Sequence, residues 1–160
     1  MTDFRIEQEG DALAGRPRGV VLVEVLINGA DTVAERFREI AGRLPYRAAD
    51  VTLQDDDVPE LVRSLATATW KRISDEVPAY GFAEALGRRY REGGNTLGAL
   101  LLHWQVLRRA IHLMLAEKKF RTGRGDTAGL RQMALMDYTL DWATEASIVG
   151  YVLLNAPADG

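Results

Sequence analysis

The chain has 160 residues, 47% apolar and 27% charged, with a net charge of −3 and a pI near 5.4. One domain with a substantial core is the expectation for that length, and the acidic balance argues against direct nucleic-acid binding, which normally needs a basic excess. The absence of cysteine excludes disulfides, thiol catalysis, cysteine-ligated clusters and cysteine-bound zinc.

Apolar runs such as Gly19 to Ile27 and Leu97 to Leu102 are too short to span a bilayer. The opening Met1, Thr2, Asp3 and Phe4 lack the basic-then-apolar layout of a signal peptide. A cytoplasmic protein without membrane insertion is therefore expected. Residues 1–18 are polar and aperiodic and read as a flexible N-terminal arm. The β-branched run that opens residues 20–27 would suit a strand. Over a longer window, however, Leu22, Leu26, Ala30, Val33, Phe37, Ile40 and Leu44 follow a helical period up to Pro45, with Gly29 positioned to break or kink the helix. Pro45 forces a turn, and residues 46–54 read as an irregular connection.

Asp55, Asp56 and Asp57 ahead of Val58 and Pro59 resemble a helix start, with carboxylates for the N-terminus and proline in the first turn. The alternating ligands and central glycine of an EF-hand are missing. Val58, Leu61, Val62, Leu65, Ala66, Trp70, Ile73 and Val77 form the next stripe, and Phe82, Leu86 and Tyr90 a shorter one closed by Gly93 and Gly94. The longest uninterrupted period runs from Asn95 to Phe120, with Asn95 or Thr96 as N-cap. At 1.5 Å per residue it predicts a rod of roughly 36 Å around which the other helices pack. Residues 121–129 contain glycines but not the phosphate-loop spacing. From Thr127 to Asn155, Leu130, Met133, Leu140, Ile148 and Tyr151 form a stripe that Leu135, Met136, Trp142, Val149 and Val152 broaden. A terminal helix apolar on more than one side is either deep in the core or paired with another chain.

The expected organisation is a flexible arm over 1–18, one helical domain over 19–155 and a linker-like tail over 156–160. The fold class is all-α, a bundle of five or six helices with a long central and a long C-terminal helix. His103 and His112, nine residues apart on the central helix, point to nearly opposite sides and cannot share one metal ion within a monomer. A buried, hydrogen-bonded His103 is the plain reading. Haem ligation is the sharper one, because an all-α fold can present a proximal histidine. The setting of His103 is too apolar for a phosphoacceptor. Asp137 and Asp141 at i, i+4 read as an acidic stripe meeting Arg108, Arg109 or another subunit. No arrangement for covalent catalysis is present, and a non-enzymatic protein is expected.

The segments Gly87-Arg88-Arg89-Tyr90-Arg91-Glu92-Gly93 and Leu101-Leu102-His103-Trp104-Gln105-Val106-Leu107-Arg108-Arg109 resemble the RsbRD-type N-terminal domain, related to the non-haem globin domain of RsbR stressosome proteins. Leu44, Pro45 and Tyr46 upstream, and Met136, Asp137 and Tyr151 downstream, are similar to the same pattern. Val106 stands where the pattern has arginine, and the Arg108-Arg109 pair falls one position early. The resemblance implies a globin-like sensory input module in bacterial signal transduction, without haem, acting as a homodimer and passing its signal to a partner protein or a fused output domain. Candidate ligand-binding residues are His103, Trp104, Arg108 and His112. Candidate dimer-interface residues on the last helix are Leu140, Trp142, Ile148, Val149, Tyr151 and Val152. The alternative is a globin-related sensor of haem or another hydrophobic ligand, with His103 as first ligand and His112 as second.

Overall fold

A computed structural model describes residues 18–44, 57–120 and 127–153. The arm, the connection after Pro45, Asp55, Asp56, the loop after Phe120 and the tail lie outside these residues, apart from Arg18, Asp57, Thr127, Ala128 and Gly129. The described residues form six helices and no strand: α1 (Arg18–Asn28), α2 (Ala30–Gly42), α3 (Val58–Ile73), α4 (Gly81–Glu92), α5 (Leu97–Glu117) and α6 (Thr127–Leu153). The expected all-α class holds. None of these helices is long and apolar enough to cross a membrane.

The first periodic stretch resolves into α1 and α2, joined at Gly29. At the junction Gly29 N–H donates to the Val25 carbonyl at 2.8 Å and the Gly29 carbonyl accepts from Val33 N–H at 2.9 Å, so Gly29 closes α1 and opens α2. Leu22, Leu26, Ala30, Val33 and Phe37 are buried along it. A side chain at residue 29 would press on the Met114 thioether of α5 and the Val25 carbonyl, so glycine lets the α1–α2 junction lie close to α5. Pro59 occupies the first turn of α3, but Asp57 makes no side-chain cap. Its carboxylate instead pairs with Arg89 of α4 at 3.1 Å. The capping role expected of Asp57 is replaced by this tie, because the side chain lies within reach of a fixed cation on another helix.

Helices α3, α4 and α5 end alike. In each case a residue in the left-handed region follows the helix and the next N–H folds back five residues: Glu76 to Lys71 at 2.7 Å, Asn95 to Tyr90 at 2.9 Å and Phe120 to Leu115 at 2.9 Å. The left-handed positions are Asp75, Gly94 and Lys119, the geometry of a Schellman stop. Thr96 caps α5, its hydroxyl accepting from Ala99 N–H at 3.1 Å. Helix α5 buries Leu100, Trp104, Leu107, Ala110, Ile111, Met114 and Leu115, but it packs mainly against α2, and α6 rather than the expected α5 is the helix on which most of the others meet.

Helix α6 packs chiefly against α4, with further contacts to α3, α1 and α5. Its core face differs from the apolar stripe expected of it. Leu130 is 52% exposed, whereas Gln132, Thr139, Ser147 and Gly150 join Met136, Leu140, Ala143 and Tyr151 in the interior. The physical reason is the separation of α4 and α6. A Cβ on Gly87 would run into the Ser147 carbonyl, and one on Gly150 into the Glu84 carbonyl. Only small residues let the two backbones come that close.

Candidate functional site

Three features of α5 and α6 bear on function: a buried histidine, a charged cleft and an exposed apolar face.

His103 is 1% exposed. Its ring is enclosed by Phe37 of α2 at a centroid distance of 4.9 Å, Tyr90 of α4 at 5.5 Å and Trp104 at 6.1 Å. The Tyr90 hydroxyl and His103 Nδ1 share a hydrogen bond of 2.7 Å, and Nε2 is buried with no partner. Burial pushes the imidazole pKa down from 6.5 to about 3, with the positive charge of Arg89 adding to the effect, so the ring is neutral at physiological pH. Axial ligation of haem requires a flat macrocycle against a ring nitrogen. Although Nε2 is free, three aromatic side chains and the sealed interior close off the imidazole, and the residues around His103 do not fit haem. His103 ties α4 to α5 within the core.

His112 lies at the surface between α5 and α6, its Nε2 3.1 Å from Asp137 Oδ1. Arg108, one turn earlier, donates from one terminal nitrogen to Asp137 Oδ1 at 2.8 Å and from the other to Asp141 Oδ1 at 2.5 Å. Burial alone would raise the Asp137 pKa. The hydrogen bond and charge of His112, then Arg108, outweigh it and hold the carboxyl below its ordinary value. The acidic pair on α6 thus meets Arg108, as expected, while Arg109 is exposed. Arg108 and His112 on one helix, and Asp137 and Asp141 on the other, each have the i, i+4 spacing that puts two side chains on one face. That spacing was legible. Which faces would meet was not.

Beside this cluster a cleft of about 310 Å³ opens between α5 and α6, lined by Leu101, Trp104, Gln105, Arg108, Asp141 and Thr144. The indole of Trp104 donates to Ser147 Oγ at 2.8 Å, and Ser147 donates in turn to the Thr144 carbonyl at 2.7 Å. The four candidate ligand-binding residues therefore divide. Trp104 and Arg108 line one cleft, His112 sits a turn beyond through shared Asp137, and His103 is in the core. Leu101, Gln105, Asp141 and Thr144 were not among the candidates; Leu101 and Gln105 lie on the same helix as those that were, whereas Asp141 and Thr144 come from α6. No group of three or more histidine and carboxylate side chains suited to a metal ion occurs among the described residues.

The candidate interface residues also divide. Leu140 is 1% exposed and Tyr151 8%, and the Tyr151 hydroxyl donates to the Asn95 carbonyl at 2.7 Å. Both belong to the core, where the close approach of α4 turns that side of α6 inward, and neither is free to meet a second chain. Ile148 is half-buried. Trp142, Val149 and Val152 face solvent, with Tyr138 and Leu153 on the same side of the helix.

Fold and site define, among the described residues, an all-α helical bundle with a charged cleft between two of its helices. No family model, curated protein or solved structure matches the chain.

Proposed function

We propose that the chain is a non-enzymatic sensory or regulatory input module of the globin-like, RsbR type, which pairs through α6 and passes a signal to a partner or output domain. The observation that carries this reading is the outer face of α6. Tyr138, Trp142, Val149, Val152 and Leu153 are 41–62% exposed along one side of a 27-residue helix. Large apolar side chains aligned on a surface helix mark an association face, and aromatic residues are the usual anchors of such a face. The inner face of the same helix is locked to α4 through Gly87 and Gly150. A change of packing at the seam would therefore reach the α4–α5 core as a shift of a rigid rod. The buried, neutral His103 supports a structural role over a chemical one.

Sedimentation equilibrium at micromolar concentration tests the proposal. The wild-type chain is expected at twice its 17.7 kDa mass. Trp142→Glu and Val149→Glu, each placing a charge in the seam, are expected at the single mass with unchanged helical circular dichroism. A wild-type chain that stays monomeric throughout would remove the basis of the reading.

A further inference from the structure

We propose that the cleft between α5 and α6 binds a free α-amino acid with an apolar side chain. Its 310 Å³ lies at the lower end of the range for small-molecule sites, about 300–1,000 Å³, and suits a metabolite of that size.

The charges of the cleft select the ligand. Arg108 is held at one terminal nitrogen by Asp137, whose own position is fixed by His112, and offers the other to Asp141 at the rim. The Asp141 side chain is 71% exposed. Its one ion pair can open while Asp137 keeps the guanidinium in place. A ligand carboxylate would then take the outer nitrogen of Arg108, and a ligand ammonium would take the released Asp141 carboxylate. The exchange replaces one ion pair by two and leaves the net charge of the cleft unchanged. A carboxylate alone would be repelled by Asp137 and Asp141, which together outweigh the one arginine. An amine alone could take Asp141 only by leaving the outer nitrogen of Arg108 without its carboxylate, so it trades one exposed ion pair for another and gains little. A zwitterion satisfies both partners at once, and charge-assisted bonds to arginine and carboxylate are the stronger kind.

The remaining lining suits an apolar side chain. Leu101 is aliphatic, and the Trp104 indole is fixed by Ser147. Thr144 also lines the cleft, and its hydroxyl is occupied by the Leu140 carbonyl at 2.8 Å. Gln105, exposed beside Arg108, adds an amide that can donate to a carboxylate or accept from an ammonium.

Isothermal titration calorimetry on the full chain tests this with L-leucine and L-phenylalanine as probes. Isoamylamine and 4-methylpentanoate supply the two halves of leucine separately. At least one amino acid is expected to bind saturably, one molecule per chain, with each half-ligand roughly tenfold or more weaker. Asp141→Asn, a surface change that preserves shape, and Arg108→Lys, which keeps the charge but loses the fork, are each expected to weaken binding by about tenfold or more. Absence of saturable heat with both amino acids at millimolar concentration overturns the proposal. So does a half-ligand that binds as tightly as the amino acid, or an Asp141→Asn protein that binds as well as wild type. The inference does not rest on pairing through α6. Oligomeric state is read by sedimentation, so a monomer that binds and a dimer that does not are distinguishable.

Discussion

His103 shows how a single side chain can be structural and still govern the response to pH. An unfolded histidine titrates near 6.5, whereas His103 in the folded chain titrates near 3 because burial, with Arg89 nearby, opposes its charge. Between those values the unfolded chain binds the extra proton, so stability rises with pH across that window. The contribution is complete above about 6.5 and is lost as pH falls toward about 3. Urea denaturation at a series of pH values is expected to show stability falling by up to ~1.4 kcal/mol per pH unit below 6.5. His103→Gln should lack most of that slope between pH 6 and 4. Asp137 contributes in a lower window. Its pKa is depressed below 3.8, so its share is present above that value and disappears beneath it. A variant profile parallel to wild type over the upper window would show that His103 is not the group responsible.

At the scale of elements, the α4–α6 crossing is the contact least tolerant of change. Both Gly87 and Gly150 face backbone carbonyls of the opposite helix. A backbone cannot swing aside as a flexible side chain does, so an added methyl must push the helices apart. Gly150→Ala is expected to destabilise by at least about 1–3 kcal/mol, the usual range for overpacking, read from the urea midpoint. Gly98→Ala is the control. Its Cβ would find only the Thr96 hydroxyl at 3.7 Å, and alanine in a helix is favoured over glycine, so a change between zero and a gain of about 1 kcal/mol is expected. Equal losses at the two positions would mean that the crossing is looser than the geometry requires. The glycines were visible in the sequence, but glycine in a helix carries no mark of what it faces. Hydropathy pointed away from this seam, because Ser147, Thr139 and Gln132 do not read as core residues.

For the whole molecule, a seam on the terminal helix links stability to assembly. If folded chains pair through Tyr138, Trp142 and Val149, association stabilises the native state by mass action and the melting temperature rises with protein concentration. A measurable upward shift is expected for wild type across a hundredfold dilution series, about 100 μM down to 1 μM, and none for Val149→Glu. A wild-type melting temperature independent of concentration would place the exposed face of α6 outside any stable pair.

Sequence alone determined the helical class, the approximate place of each helix with α1 and α2 as one stretch that could break, the stops at Gly94 and before Pro45, and the burial of most of α5; it ran α3 on to Val77, which lies beyond its end at Ile73 and is exposed. These properties are local. They follow from side-chain period, capping groups and backbone freedom, all of which act over a few residues. The break at Gly29 was legible as a possibility, and the structure resolved it into two helices, α1 and α2, with Gly29 as their junction. Only the tertiary structure decided which faces meet. It enclosed His103 with Tyr90 and Phe37, joined Arg108 and His112 to Asp137 and Asp141, and put Leu140 and Tyr151 inside while Trp142, Val149 and Val152 stayed out. On α6 the period could not choose, since apolar residues lie on both sides. The choice fell to backbone approach at two glycines, where close packing between distant parts of the chain outweighs the hydropathy of any one face.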